Sequence, residues 1–117
     1  MEQLHPSTEH RPPEPGEWPT PETAYALAPS VIREIGWTAQ TAADKPFGTV
    51  LGREFWLRKA AVLDRIALAD EREGVPGDAS EVAAEAARRL MDLDNTTVIC
   101  DPRHYIRQQY ARWTHHQ

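Results

Sequence analysis

Cys100 and His104 are four positions apart, and a thiol near an imidazole is the chain's closest approach to a nucleophile with its base. Cys100 stands just before a predicted helix N-terminus, where a thiolate gains some stabilisation. A thiol enzyme also needs donors for a developing oxyanion, and the residues around Cys100 spell out neither such a loop nor a substrate pocket. Cys100 is the single cysteine, so no internal disulfide forms, and a small buried thiol is the expected role. His104, His115 and His116 carry metal-binding atoms, but no Cys, Asp or Glu completes a set at ligand spacing, and no metal site or cofactor is expected. Asp64, Asp70, Glu71 and Glu73 lie on the main predicted helix, most of them at spacings of a solvated face. Nothing nearby marks a carboxylate held in an apolar pocket with the raised pKa that acid–base catalysis uses. With six scattered glycines there is no phosphate-cradling loop. The chain is expected to be non-enzymatic.

The residues with most to offer a partner are basic or apolar. Arg103, Arg107 and Arg112 lie along the last predicted helix, with Arg103 and Arg107 one turn apart. They could straddle a phosphate or clamp an acidic helix, or pair with acids of the same fold. Leu57 and Leu68 form a second apolar strip on the longest helix, nearly opposite its main face, and are candidates for a contact with another copy. Trp18 stands in a polar leader, either as a docking anchor or as the point where the leader rejoins the fold.

These residues need helices to hold them. Thr20-Pro21 reads as a cap followed by a first-turn proline, opening a short helix that ends before Pro29. Ser30 to Ile35 predicts a second short piece stopped by Gly36, and Trp37 to Gly48 an irregular loop pinned by Trp37 and Phe47. Val50 to Glu73 predicts the main helix, with Thr49 as cap and Gly74-Val75-Pro76-Gly77 as its terminator. Asp78 opens an alanine-rich helix, and Glu81 permits a capping box. A link this short folds the two into an antiparallel hairpin. Asn95 to Asp101 is β-branched but has no strand to pair with, so it reads as an extended connector. Asp101 and Pro102 then start an amphipathic helix to Thr114. The expected interior joins Phe55, Trp56, Val62, Leu63 and Ile66 to Val82, Ala86, Leu90 and Leu93, and to Ile106, Tyr110 and Trp113. The closing arginines are expected outside it.

Composition sets the class. The 117 residues suit one domain, read as a flexible proline-rich leader over 1–20 and an all-α bundle over 21–117. Six of the ten prolines fall in residues 1–21, where little apolar surface is present to offset ordering entropy. No apolar run reaches the length of a membrane span and no secretory signal opens the chain, which predicts a cytoplasmic protein. Eleven arginines against two lysines, with many alanines, suggest a bacterial source. The net charge of −5 opposes tight nucleic-acid binding, although residues 95–117 carry three arginines against one acid. The function expected is a protein-interaction or regulatory module, with a protein partner or further copies of itself. A small nucleic-acid-associated regulator using the basic last helix is the alternative.

Overall fold

The computed structural model describes residues 18–46 and 48–117. The fold is all-α. Its helices are α1 (Pro21–Ala24), α2 (Val31–Asp44), α3 (Arg53–Glu73), α4 (Ala79–Leu93) and α5 (Pro102–His115).

Local chemistry sets most of the boundaries. The Thr20 hydroxyl accepts from the Thr23 amide at 3.2 Å and Pro21 occupies the first turn of α1. The Ser30 hydroxyl accepts from the Arg33 amide at 3.2 Å to open α2. Asp101 caps α5 by accepting from the Arg103 amide at 2.9 Å, with Pro102 next. Gly74 ends α3 at φ 69°, and the Val75 amide donates back to the Asp70 carbonyl at 2.9 Å. That left-handed turn satisfies carbonyls which a non-glycine residue would cap only under strain.

Some boundaries differ from the sequence reading. Gly36 does not stop α2, which runs on through Trp37 to Asp44, so most of the expected loop is helix. A helical glycine loses about 1 kcal/mol against alanine, a deficit that the contacts of Glu34 and Trp37 with Arg58 of α3 offset. Phe47, expected to pin that loop, lies outside the described residues, as do residues 1–17 of the expected leader. The main helix starts three residues later than expected, with Gly52 rather than Thr49 at its cap. Asp78 makes no side-chain capping bond, so the expected capping box is not formed. The stretch from Asn95 to Asp101 is an irregular connector.

The interior lies between α3, α4 and α5. Ala60 and Ala61 of α3 meet Ala86 and Ala87 of α4, and these small side chains let the two backbones approach closely. Leu57, Leu90, Ile106 and Tyr110 fill the rest, each less than 2% exposed. Leu57 is therefore a centre of the core and not a strip for an external partner. α3 packs on its neighbours on more than one side, which is why it is apolar on two faces. Val82 and Leu93 are about half exposed rather than interior, because they flank the arc of α4 that the alanines turn inward. α2 packs mainly against α3, and α1 against α5.

Candidate interaction surface

The bundle is closed by charged joints. Asp64, in the middle of α3, has no exposed surface. The Tyr25 hydroxyl donates to its Oδ2 at 2.6 Å, and Arg107 donates from Nε and Nη2 at 2.8 and 3.0 Å. Arg103 donates from Nε to Oδ1 and reaches Glu71 from Nη1 at 2.7 Å. Burial pushes the Asp64 carboxyl up, but the bonds from Arg107, Tyr25 and Arg103 outweigh it and hold the group below its usual value. Its acceptor positions are filled by donors from the segment after α1 and from α5. This carboxylate joins α3 to Tyr25 and to α5.

A second joint ties the helix ends. Arg53 donates to both oxygens of Asp94 at 2.7 and 2.9 Å, and the Tyr105 hydroxyl donates to the same carboxylate at 2.7 Å. A third holds α2 to α3. Arg58 grips Glu34 through Nε and Nη2 at 3.0 and 2.7 Å and Glu54 through Nη1 at 3.0 Å, while Trp37 covers its guanidinium at 3.6 Å. Stacking together with a two-pronged carboxylate bond suits arginine and not lysine.

This third joint decides which side of α2 faces out. The inward residues are Val31, Glu34, Trp37, Thr38 and Thr41, three of the five polar. At about 100° per residue, Ile32, Ile35, Gly36, Ala39, Ala42 and Ala43 share an arc roughly 120° wide, and every one is exposed. Ile32 is 81% exposed and Ile35 45%. An ordinary surface helix turns its apolar stripe to the core; α2 does the reverse. Arg33, Gln40 and Asp44 line one edge of the arc. The exposed Leu27 precedes the helix and the exposed Val50 follows it.

The residues singled out by sequence have different fates. Arg107 is buried and Arg103 largely so, both bound to Asp64, so the outward basic ridge expected of α5 does not form. The helix turns these positions toward α3, and a buried carboxylate needs paired cations. Arg112 is half-buried, and its carbonyl meets the His116 ring. Gln108, beside Arg107 on the same helix, is also buried. Leu68 is half-buried in a groove of about 290 Å³ between α1, the start of α2 and α3, with Val31, Arg65 and Arg72. Trp18 is 39% exposed and its ring lies 6.2 Å from that of His104, so at this point the chain rests on α5. Burial, helped by Asp101, raises the Cys100 thiol pKa, opposite to what a nucleophile needs.

Sequence reasoning placed Asp64 with the solvated acids of α3, where the structure buries it, and missed Arg58 and the outward face of α2. The outward face did leave a signal: Ile32, Ile35, Ala39 and Ala42 recur at three- and four-residue steps. Among the described residues no group of His, Cys, Asp or Glu converges as a metal cage, and no helix is long and apolar enough to cross a membrane. Compared with known protein families, with curated proteins and with solved structures, the chain matches none.

Proposed function

We propose that this protein is a non-enzymatic interaction module whose contact surface is the outward face of α2. One observation carries the reading: the apolar arc from Ile32 to Ala43 is presented to solvent while the helix is anchored through Glu34 and Trp37. Leaving two isoleucines in water forgoes about 1.5–3 kcal/mol for each that could be buried, and a partner helix recovers it. The small residues between them allow that helix to come near. The non-enzymatic part of the reading is supported by the buried Asp64, whose lone pairs are engaged by arginines and a tyrosine.

The same joints weigh against a nucleic-acid regulator. Arg103 and Arg107 are bound to Asp64, and Arg103 also to Glu71. Using them on phosphates would leave a buried carboxylate without its cations.

The test is affinity capture from cells that make the protein, with the wild type beside a variant carrying Ile32→Glu and Ile35→Glu. Captured chains, including differently tagged copies of the protein itself, are expected to disappear with the variant. Recovery of the same chains by both would overturn the reading.

A further inference from the structure

We infer that the occupant of the α2 face is the same face of a second copy, with the two helices antiparallel. The inference rests on the proposal that this face is an interaction surface and names its partner. Two features of the helix select that partner.

The first is size. Ile32, Ile35, Ala39 and Ala42 alternate at steps of three and four, so the large residues sit in the first half of the arc and the small ones in the second. Two such helices side by side in parallel would set isoleucine against isoleucine at one end and alanine against alanine at the other, splaying them. Reversing one sets Ile32 across from Ala42 and Ile35 across from Ala39 at both ends, which keeps the axes evenly spaced. Gly36 adds no bulk, and a Cβ built there meets nothing within 4 Å in the single chain. The arc is thus complementary to its own reversed image.

The second is charge. Arg33 lies near the start of α2 on one edge of the arc, and its side chain has no ion pair among the described residues. On the same edge, near the end of the helix, Gln40 donates to Asp44 at 2.7 Å. The dyad of an antiparallel pair keeps each edge on its own side. Arg33 of each copy therefore faces the Gln40–Asp44 pair of the other, twice per dimer. A parallel pair places the two copies of this edge on opposite sides of the contact, so Arg33 of one copy would meet neither Gln40 nor Asp44 of the other. Opposed helix dipoles add to the same preference.

The contact area sets the strength. Fourteen residues make a helix about 21 Å long. Such a strip is short of the roughly 800 Å² per partner of a standard interface. In the reversed arrangement the end carrying the exposed Leu27 approaches the end carrying the exposed Val50 of the other copy, and a contact between them would add to the strip. The result is at the low end of specific interfaces, which corresponds to a reversible dimer with a Kd on the order of micromolar.

The experiment uses the purified full chain alone, in sedimentation equilibrium from about 1 µM to 1 mM. A monomer–dimer equilibrium is expected in this range. Ile32→Glu with Ile35→Glu should weaken it by about tenfold or more with unchanged helical circular dichroism, since both side chains are already exposed. Ile99→Glu, on the fully exposed Ile99 of the α4–α5 connector, should leave it unchanged. In a Cys100→Ser background, Ala39→Cys should cross-link between copies with a short bismaleimide. Ala43→Cys should not, because the antiparallel register holds those positions about 18 Å apart along the axis. A strict monomer at 1 mM, a dimer indifferent to the Ile32 and Ile35 changes, or efficient linking at Ala43→Cys would each overturn the inference. A monomeric chain that still loses a captured heterologous partner through the Ile32 and Ile35 changes would remove the second copy and leave the interaction module standing. Loss of both results would remove both.

Discussion

Asp64 is the residue on which the closed bundle depends. It brings one negative charge to a site without solvent and receives Arg103, Arg107 and Tyr25. A buried pair of this kind adds little net stability over a well-packed apolar substitute, yet removing one partner is expensive because the other charge is stranded. Asp64→Ala should therefore cost about 3–5 kcal/mol in chemical denaturation, a large part of the roughly 5–15 kcal/mol typical of a whole domain. Arg103→Ala should cost less, about 1–3 kcal/mol, since Asp64 keeps two bonds from Arg107 and one from Tyr25. Equal losses for the two variants would mean that Arg103 and Asp64 act only as a pair. None of this could be read from local sequence. Asp64 is flanked by charged and apolar residues as any amphipathic helix position is, and its partners are 39 and 43 residues away. Its environment exists only after α5 has folded back. Arg103 and Arg107 were legible as a one-turn pair, but whether that pair faces water or a carboxylate is decided by α3.

Helices were legible where their ends are written in short-range chemistry. Thr20 with Pro21, Asp101 with Pro102 and the αL turn at Gly74 all act within a few residues, and those boundaries fall close to expectation. α2 was misread because Gly36 is a stop signal only when the chain adopts a turn there. Its apolar stripe was visible in the sequence but its direction was not, since Arg58 of α3 chooses Glu34 and Trp37 as the inner side. α2 is thus anchored through a largely polar side, and local opening should begin there before α3, α4 and α5. Trp37→Ala removes the ring that covers the Arg58 guanidinium at 3.6 Å. It should cost about 1–2 kcal/mol and act locally. Hydrogen exchange should show α2 amides losing protection while those of α3, α4 and α5 keep theirs. A uniform loss across all helices would mean that α2 opens only with the rest of the molecule.

The whole molecule carries acids on joints and tyrosines in its interior, so its stability should fall at both ends of the pH scale. On the acid side, burial raises the Asp94 carboxyl, but bonds from Arg53 and Tyr105 overcome it, and the group joins Asp64 below the usual carboxylate value. The Glu71 carboxyl is lowered chiefly by the Arg103 bond. A carboxyl lowered by folding stabilises the native state fully above its unfolded pKa, near 4, and loses that contribution as the pH falls through the lower folded value. On the alkaline side, burial first and Asp64 second raise the Tyr25 hydroxyl well above its ordinary value. Burial, with Asp94, takes Tyr105 up to about 12, and burial takes Tyr110 to about 12. A hydroxyl raised by folding contributes fully below its unfolded pKa, near 10, and the contribution is lost as the pH rises toward 12. Urea midpoints should therefore be level between about pH 5 and 9, drop below about pH 4 and drop again above about pH 10. The two limbs differ in origin, and a variant separates them. Tyr105→Phe removes the hydroxyl that bonds Asp94 at 2.7 Å, so it should weaken the alkaline limb because one fewer group titrates there. It should also lower the plateau slightly, since Asp94 then keeps only Arg53. An alkaline limb unchanged in Tyr105→Phe would remove Tyr105 as a contributor and leave the limb to Tyr25 and Tyr110.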